Sequence, residues 1–189
     1  MKKVSIFMSA LMLTAASYAQ TWTVDKAHAK IGFTITHMMV SDVDGMFKTF
    51  DATLTSSKAD FSDAAFSVTA QTNSIFTDNE KRDGHLKSPD FFDAAKNPTV
   101  SFVSKSLVKT GASTFKVTGD LTMHGVTKSV VLDGSFRGPM MNQMSKKNTA
   151  GFKITGTVKR ADFKLGDSMP SAVLSDEVTI TANGEFQQG

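Results

Sequence analysis

Apolar and polar residues alternate with a period of two along most of the chain beyond residue 20. Ile31, Phe33 and Ile35, for example, alternate with Lys30 and with other small or polar residues. Because successive side chains of a β-strand point to opposite faces, this spacing predicts strands with one apolar face. The same pattern recurs at residues 50–54, 66–70, 100–102, 115–121, 130–136, 152–158 and 178–186. With a short opening strand at 22–25, it predicts eight or nine strands.

The segments between these strands do not fit a parallel sheet. Parallel neighbours need long crossover connections, usually helices, and only 77–87 and, more weakly, 89–95 have a helical composition. The strands are therefore expected to pair antiparallel. Since each strand has a single apolar face, the sheet either stacks on a second sheet or closes into a barrel, and the pattern leaves both open. Glycines inside strands, such as Gly119 and Gly134, and a phenylalanine-rich inner face favour the barrel.

A barrel of about eight strands has an interior that either holds one small ligand or is filled by its own side chains. Both interiors produce the same alternation, so the pattern does not choose between them. A methionine-rich stretch at 139–144 has two similar interpretations. Its flexible side chains either line an apolar entrance or cover a sheet edge.

The first 19 residues have the composition of a secretory signal peptide. Two lysines precede an apolar stretch at 4–16, which ends in the small-x-small pattern SYA at 17–19. We therefore expect export to the periplasm, cleavage after Ala19 and a single mature domain at 20–189. The apolar stretch is shorter than the roughly 20 residues that cross a bilayer as a helix, so no stable membrane insertion is expected.

Composition gives no indication of a nucleic-acid partner. Two of the 21 Lys and Arg lie in the leader, which leaves 19 against the 18 Asp and Glu, a net charge of +1 for the mature chain. The sequence contains no basic cluster larger than the pair Lys146 and Lys147. Binding to a phosphate backbone requires a more extensive basic surface, so no nucleic acid is expected as a partner.

The sequence contains no motif for catalysis or metal binding. His28, His37, His85 and His124 are far apart, and none belongs to a zinc motif. There is no cysteine, no Gly-x-Ser-x-Gly elbow and no phosphate-binding glycine loop, so we predict no catalytic residue, no metal, no cofactor and no enzymatic activity. His37 continues the apolar face of Ile35, where it either caps a cavity mouth or bonds a backbone carbonyl.

The densest polar cluster, NEKRDGHLKS at 79–88, interrupts the strands and precedes Phe91 and Phe92. Its charged side chains can hold one loop or short helix together through charge-assisted hydrogen bonds. Alternatively, the segment is a lid. In that interpretation Phe91 and Phe92 close one end of a barrel while Arg82 and His85 fix the polar end of a ligand.

Several longer motifs make the sequence similar to the YceI-like family of exported β-barrel proteins. They are WTVD at 22–25, GMF at 45–47, RDGHLKSPDFFD at 82–93 and GDLTMHGVTK at 119–128. The resemblance covers nearly the whole mature chain, with departures at Asn97 and at 160–164. It implies an all-β fold, an extended eight-stranded antiparallel lipocalin-like β-barrel with a short helical lid segment. It also implies an elongated apolar cavity that holds a polyisoprenoid or similar long-chain lipid, without catalysis.

The function that this resemblance implies is a periplasmic carrier of a long apolar amphiphile, either a polyisoprenoid or an isoprenoid quinone. The alternative is a ligand-free periplasmic stress-response or interaction scaffold. A homodimer is compatible with both, although no residue indicates one. The side chains expected to contact the ligand are Phe33, Ile35, His37, Arg82, His85, Phe91, Phe92, Phe102, Val117, Leu132, Phe152 and Ile154.

Overall fold

The computed structural model describes residues 19–189, and the leader up to residue 18 lies outside the described residues. Ten strands and one α-helix are formed in this part of the chain. The strands are β1 (Gln20–His37), β2 (Ser41–Phe47), β3 (Phe50–Ser56), β4 (Ala65–Gln71), β5 (Ile75–Phe76), β6 (Thr99–Lys109), β7 (Thr114–Met123), β8 (Val126–Met141), β9 (Asn148–Lys159) and β10 (Leu174–Gln188). The helix α1 is Glu80–Lys87, and two 3-10 turns lie at Thr72–Ser74 and Arg160–Phe163.

All strand pairs are antiparallel, and the sheet closes on itself. Its order is β10-β9-β8-β7-β6-β4-β3-β1, and β1 pairs with β10 to complete the ring. The strand β1 is long enough to have two neighbours on its other side. Its first residues pair with β3, and residues 31–37 pair with β2, which is bonded in turn to β5. The predicted eight-stranded antiparallel barrel with one short helix is confirmed.

The alternation of the sequence becomes an alternation of burial. In β3, for example, Phe50, Ala52 and Leu54 are buried, and the residues between them are exposed. The predicted opening strand at 22–25 and the predicted strand at 30–36 are one continuous strand, β1, with an irregular register to β10 between Asp25 and Ala29.

The helix occupies most of the segment predicted to be helical. It begins at Glu80, after Asn79, whose side chain accepts a hydrogen bond from the Arg82 N–H at 3.0 Å. The weaker helical prediction at 89–95 is wrong, because this segment forms turns. The helix ends before Ser88, which has an extended backbone and precedes Pro89; proline disfavours helical geometry in the residue before it.

One end of the barrel interior is filled by aromatic rings. We call this end the base, where β6 ends at Lys109 and β7 begins at Thr114, and the opposite end the mouth. The Phe152 ring centroid lies 5.0 Å from that of Phe61 and 5.4 Å from that of Phe66, both edge to face. Such pairs stabilise a core beyond the area that they bury. The rings that make up this aromatic floor are Trp22, Phe61, Phe66, Phe115, Phe136, Phe152 and Phe186.

The floor is completed by the turn at 57–64, which inserts Phe61 from outside the sheet. Asp63 holds this turn by accepting hydrogen bonds from the Ser56 and Ser57 hydroxyls and from the Ser57 backbone N–H. Partial burial raises the pKa of the Asp63 carboxyl, but these hydrogen bonds outweigh burial and hold the pKa below its usual range.

Asp63 is therefore expected to contribute stability that depends on pH. Because its pKa is lower in the folded chain, the contribution is complete above the unfolded pKa of about 3.9 and is lost as the pH falls through the folded value. Relative to wild type, Asp63→Asn should be less stable at about pH 6 and lose less stability between about pH 4 and about pH 2. Urea unfolding at several pH values in this range measures how the free energy of unfolding changes with pH. If this dependence were the same for wild type and Asp63→Asn, the pH-dependent role of Asp63 would be contradicted.

The packing of the aromatic floor requires a glycine at position 134. A Cβ placed there would lie 2.2 Å from the buried ring of Phe115 on the neighbouring strand. We expect Gly134→Ala to lower the free energy of unfolding by about 1–3 kcal/mol, because the ring must move within a packed core. Gly151→Ala is the matched control, since its Cβ meets nothing within 4 Å and alanine gains about 0.5–1 kcal/mol in strand interiors. If urea unfolding showed the same change in the free energy of unfolding for both variants, the Phe115 ring would not be the reason for glycine at position 134.

Candidate functional site

An apolar cavity of about 240 Å³ lies in the mouth half of the barrel. Its walls come from β1, β2, β4, β6, β7, β8, β9 and β10, and residues of α1 and of the segments at 91–92 and 160–165 cover it. Aliphatic and aromatic side chains dominate the lining. A concave apolar enclosure with few polar groups is the usual form of a site for a small apolar ligand.

The cavity stays open because several large side chains lie against glycines of the next strand. Phe33 lies over Gly45, where a Cβ would come within 2.2 Å of the ring, and Phe102 lies over Gly119 in the same way. A ring that occupies the space of a missing side chain lies along the wall and not across the barrel axis. Gly119, one of the glycines predicted to shape a curved sheet, therefore also leaves room in its interior.

The structure brings together nine of the twelve predicted contact residues around this cavity. They are Phe33, Ile35, Arg82, His85, Phe91, Phe92, Phe102, Leu132 and Ile154. Ligand contact at these positions remains a prediction.

The other three predicted residues lie outside the cavity lining. His37 is exposed at the end of β1. Val117 is fully buried in the core, opposite Leu107 and Leu132 on the neighbouring strands. Phe152 forms the centre of the aromatic floor, so it closes the barrel below the cavity. Alternation assigned Val117 and Phe152 to the buried face correctly, but the register shift between Ile35 and His37 breaks the alternation before His37, and alternation contains no information about height along the barrel.

Sequence reasoning missed several wall residues that share a face with predicted ones. Leu121, Val178 and Ile180 line the cavity, and their alternation was visible in the sequence. Phe47 and Leu165 also line it. Phe47 ends β2, the second strand of the first hairpin, and Leu165 lies in the segment between β9 and β10. Their place in the site depends on tertiary folding.

A polar network supports α1 over the cavity. The Asp83 carboxylate is buried and accepts hydrogen bonds from the Thr77 N–H at 2.8 Å and the Thr77 hydroxyl at 2.6 Å. Arg82 donates to the Thr77 hydroxyl at 2.8 Å and to the Thr77 carbonyl at 2.6 Å. The cluster at 79–88 thus has the predicted structural role, and Arg82 also borders the cavity. The two interpretations of this segment are compatible.

His85 and the two phenylalanines that follow α1 form the rest of this cover. The His85 ring packs edge to face on Phe91, with centroids 4.9 Å apart, and its Nε2 lies 3.5 Å from an Asp90 carboxylate oxygen. Phe92 packs edge to face on Phe47 at 5.9 Å. The segment therefore presents rings to the cavity and an imidazole to its edge.

Arg160 organises the opposite side of the mouth. It is buried, and its guanidinium donates to the backbone carbonyls of Leu165, Gly166, Met169, Leu174 and Ser175 at 2.6–3.1 Å. These bonds use all five N–H groups of the side chain. The Arg160 side chain therefore holds the segment between β9 and β10 in place, and it also borders the cavity.

The tip of the β1–β2 hairpin stands beside the mouth. Met38, Met39 and Val40 are exposed there, and the Met38 N–H donates to the Val173 carbonyl at 2.8 Å. The other methionine-rich stretch, at 139–144, lies at the base and is not part of the cavity. Within residues 19–189, no helix has the length and apolar character needed to cross a bilayer.

A closed antiparallel barrel with an apolar cavity under a short helix is a lipocalin-like β-barrel fold. The chain belongs to the YceI-like family, since the YceI-like domain model matches residues 22–186. A UPF0312 protein of Pseudomonas syringae pv. tomato is 36% identical over 178 residues, which cover 93% of this chain and 92% of that protein.

Two solved structures have the same fold. The Campylobacter jejuni YceI protein superposes with a TM-score of 0.72 at 27% identity, covering 100% of this chain and 99% of that chain. A polyisoprenoid binding domain from Saccharophagus degradans superposes with a TM-score of 0.65 at 14% identity, covering 91% of this chain and 100% of the domain. The second likeness shows the fold alone.

The role of Arg160 can be tested by conservative replacement. Lysine keeps the charge but has three donors in place of the five of a planar guanidinium. Arg160→Lys therefore leaves buried carbonyls unpaired. We expect a loss of about 2–5 kcal/mol in the free energy of unfolding. Lys159→Arg, at the exposed neighbouring position, should change it by less than about 0.5 kcal/mol. An Arg160→Lys variant as stable as wild type in urea unfolding would refute the role of the guanidinium.

Proposed function

We propose that the exported chain is a periplasmic carrier that holds the tail of a long apolar amphiphile, a polyisoprenoid or isoprenoid quinone, in the mouth-half cavity. The observation that carries this proposal is the cavity itself, an apolar space left open by rings that lie against glycines. Each CH₂ group moved from water into such a lining contributes about 0.8 kcal/mol. A few isoprene units are therefore enough for tight binding without specific polar contacts.

The position of the aromatic floor defines how such a ligand would sit. The tail enters at the mouth and ends against the floor, because the rings around Phe152 fill the base. The polar end then remains near α1, where Arg82 and His85 border the cavity. The wall is hydrocarbon, so it selects mainly by width and length, and single methylene differences change affinity by only about 1–3 kcal/mol.

Two further findings support the proposal. The Saccharophagus degradans protein of the same fold is described as a polyisoprenoid binding domain. The leader has two lysines before an apolar stretch, which favours export into the periplasm. A lipid that crosses this aqueous compartment needs an apolar enclosure, and the cavity supplies one.

Filling the cavity tests the proposal. Ala182 lines it from β10, opposite Ile31 and Ile154, and is half-buried. Ala182→Trp should occupy the space of the ligand and weaken binding of geranylgeraniol at least about tenfold, which corresponds to losing about two buried CH₂ groups. Fluorescence competition and native mass spectrometry of the detergent-free protein measure binding and any lipid that copurifies.

The matched control is Val131→Trp, because Val131 is 56% exposed on the outer side of β8. Its affinity should stay within about twofold of wild type, and thermal unfolding should confirm that both variants are folded. Unchanged binding in a folded Ala182→Trp variant would refute the cavity as the site. A wild-type protein that contains no lipid and takes up neither geranylgeraniol nor a longer polyprenol would favour the ligand-free scaffold.

A further inference from the structure

The pairing of β1 with β10 contains an insertion that positions a histidine. Asp25 is directly opposite Glu185, and the next pair is Ala29 with Gly184. The residues 26–28 of β1 therefore have no partner in β10. Extra residues in one strand form a bulge, which redirects side chains that would otherwise follow the pleat. Here the bulge turns His28 back towards the two carboxylates.

The two carboxylates are an unfavourable pair without a cation between them. Like charges directly opposite each other destabilise an antiparallel pair. Within residues 19–189, Asp25 forms an ion pair with His28, while no lysine or arginine forms one with Asp25 or Glu185. The cluster thus has the charge to attract a cation.

The donor atoms are close enough for a metal ion. One atom from each of Asp25, His28 and Glu185 lies within 4.8 Å of the others. The Nδ1 of His28 is 3.0 Å from the Asp25 Oδ2. Ligand atoms around tetrahedral zinc are about 3.3 Å apart, given bond lengths of about 2.0–2.2 Å. Two of the donors are already near this separation, and the Glu185 donor lies within 4.8 Å of both.

Neighbouring groups hold one of the ligands in place and leave room for others. The Ala27 N–H donates to one Asp25 oxygen at 3.0 Å, and the Gln187 amide donates to the other at 3.2 Å. Hydrogen bonds of this kind orient metal ligands. A groove of about 640 Å³ begins at His28 and Glu185, so water can reach the open coordination positions. Arg137 and Lys153 also border the groove and oppose a cation electrostatically.

We propose that Asp25, His28 and Glu185 form a binding site for a divalent transition metal ion, with one imidazole and two carboxylates as the donors preferred by zinc. The site lies on the outer side of the β1–β10 pairing, and none of its three residues lines the apolar cavity. The sequence indicated no such site, because Glu185 is far from the other two residues in the chain and their spacing matches no zinc motif.

Titration of the metal-free exported chain with Zn²⁺ tests this proposal, with isothermal calorimetry and NMR of the histidine rings as readouts. We expect one ion per chain and a shift of the His28 resonances before those of the other histidines. His28→Gln should weaken binding at least about tenfold, and Gln187→Ala about tenfold through the loss of orientation. His37→Gln is the control, an exposed histidine at the mouth, and should bind as wild type does.

A second measurement separates metal binding from folding defects. Glu185→Gln removes the opposed charge, so the metal-free variant should melt at a higher temperature than wild type, and Zn²⁺ should no longer raise its Tm. Absence of Zn²⁺ binding by wild type, or equal binding by a folded His28→Gln variant, would overturn the proposal. Binding that His37→Gln weakens as much as His28→Gln would also overturn it, since it would show nonspecific histidine coordination.

Discussion

The pairing of β1 with β10 is the interaction on which the rest of the structure depends. These strands come from the two ends of the described chain, and their hydrogen bonds turn an open sheet into a ring. Closure removes the exposed strand edges that an open sheet leaves to aggregation. It also sets the circumference, so the interior has a fixed volume that side chains must either fill or leave empty. The two ends of this barrel meet that constraint in opposite ways.

At the base the volume is filled, and at the mouth it is not. The difference arises from a few residues. Phe61 enters from a turn outside the sheet and completes a set of rings around Phe152. At the mouth, Phe33 and Phe102 lie back against glycines, as Phe115 does at the base, and the covering segment rests on hydrogen bonds of Thr77 and Arg160. The sequence left an open interior and a side-chain-filled interior as alternatives, and one barrel contains both, an apolar cavity at the mouth and packed rings at the base.

The sequence predicted the strands well because their signal is local. Alternation needs only neighbouring residues, so the faces of Phe50, Phe102 and Ile154 were all correctly assigned as apolar. Height along the barrel is not local, since it depends on strand register and on which loop closes each end. Phe152 and Ile154 share a strand and a face, yet one belongs to the floor and the other to the cavity. Arg160 and the Asp25–His28–Glu185 cluster were missed for the same reason, because folding alone assembles their partners.

The filled base has a consequence for how the family can change over evolution. A core that maintains the fold at one end lowers the packing demand on the apolar wall at the other, so substitutions among the wall residues of the cavity alter what fits there at little cost to the architecture. In a barrel filled along its whole length, each substitution that changed the interior would also change the packed core that maintains the fold. The unequal packing of the barrel therefore separates foldability from specificity. It gives a physical route by which chains of one architecture can diverge in the shape of the mouth cavity.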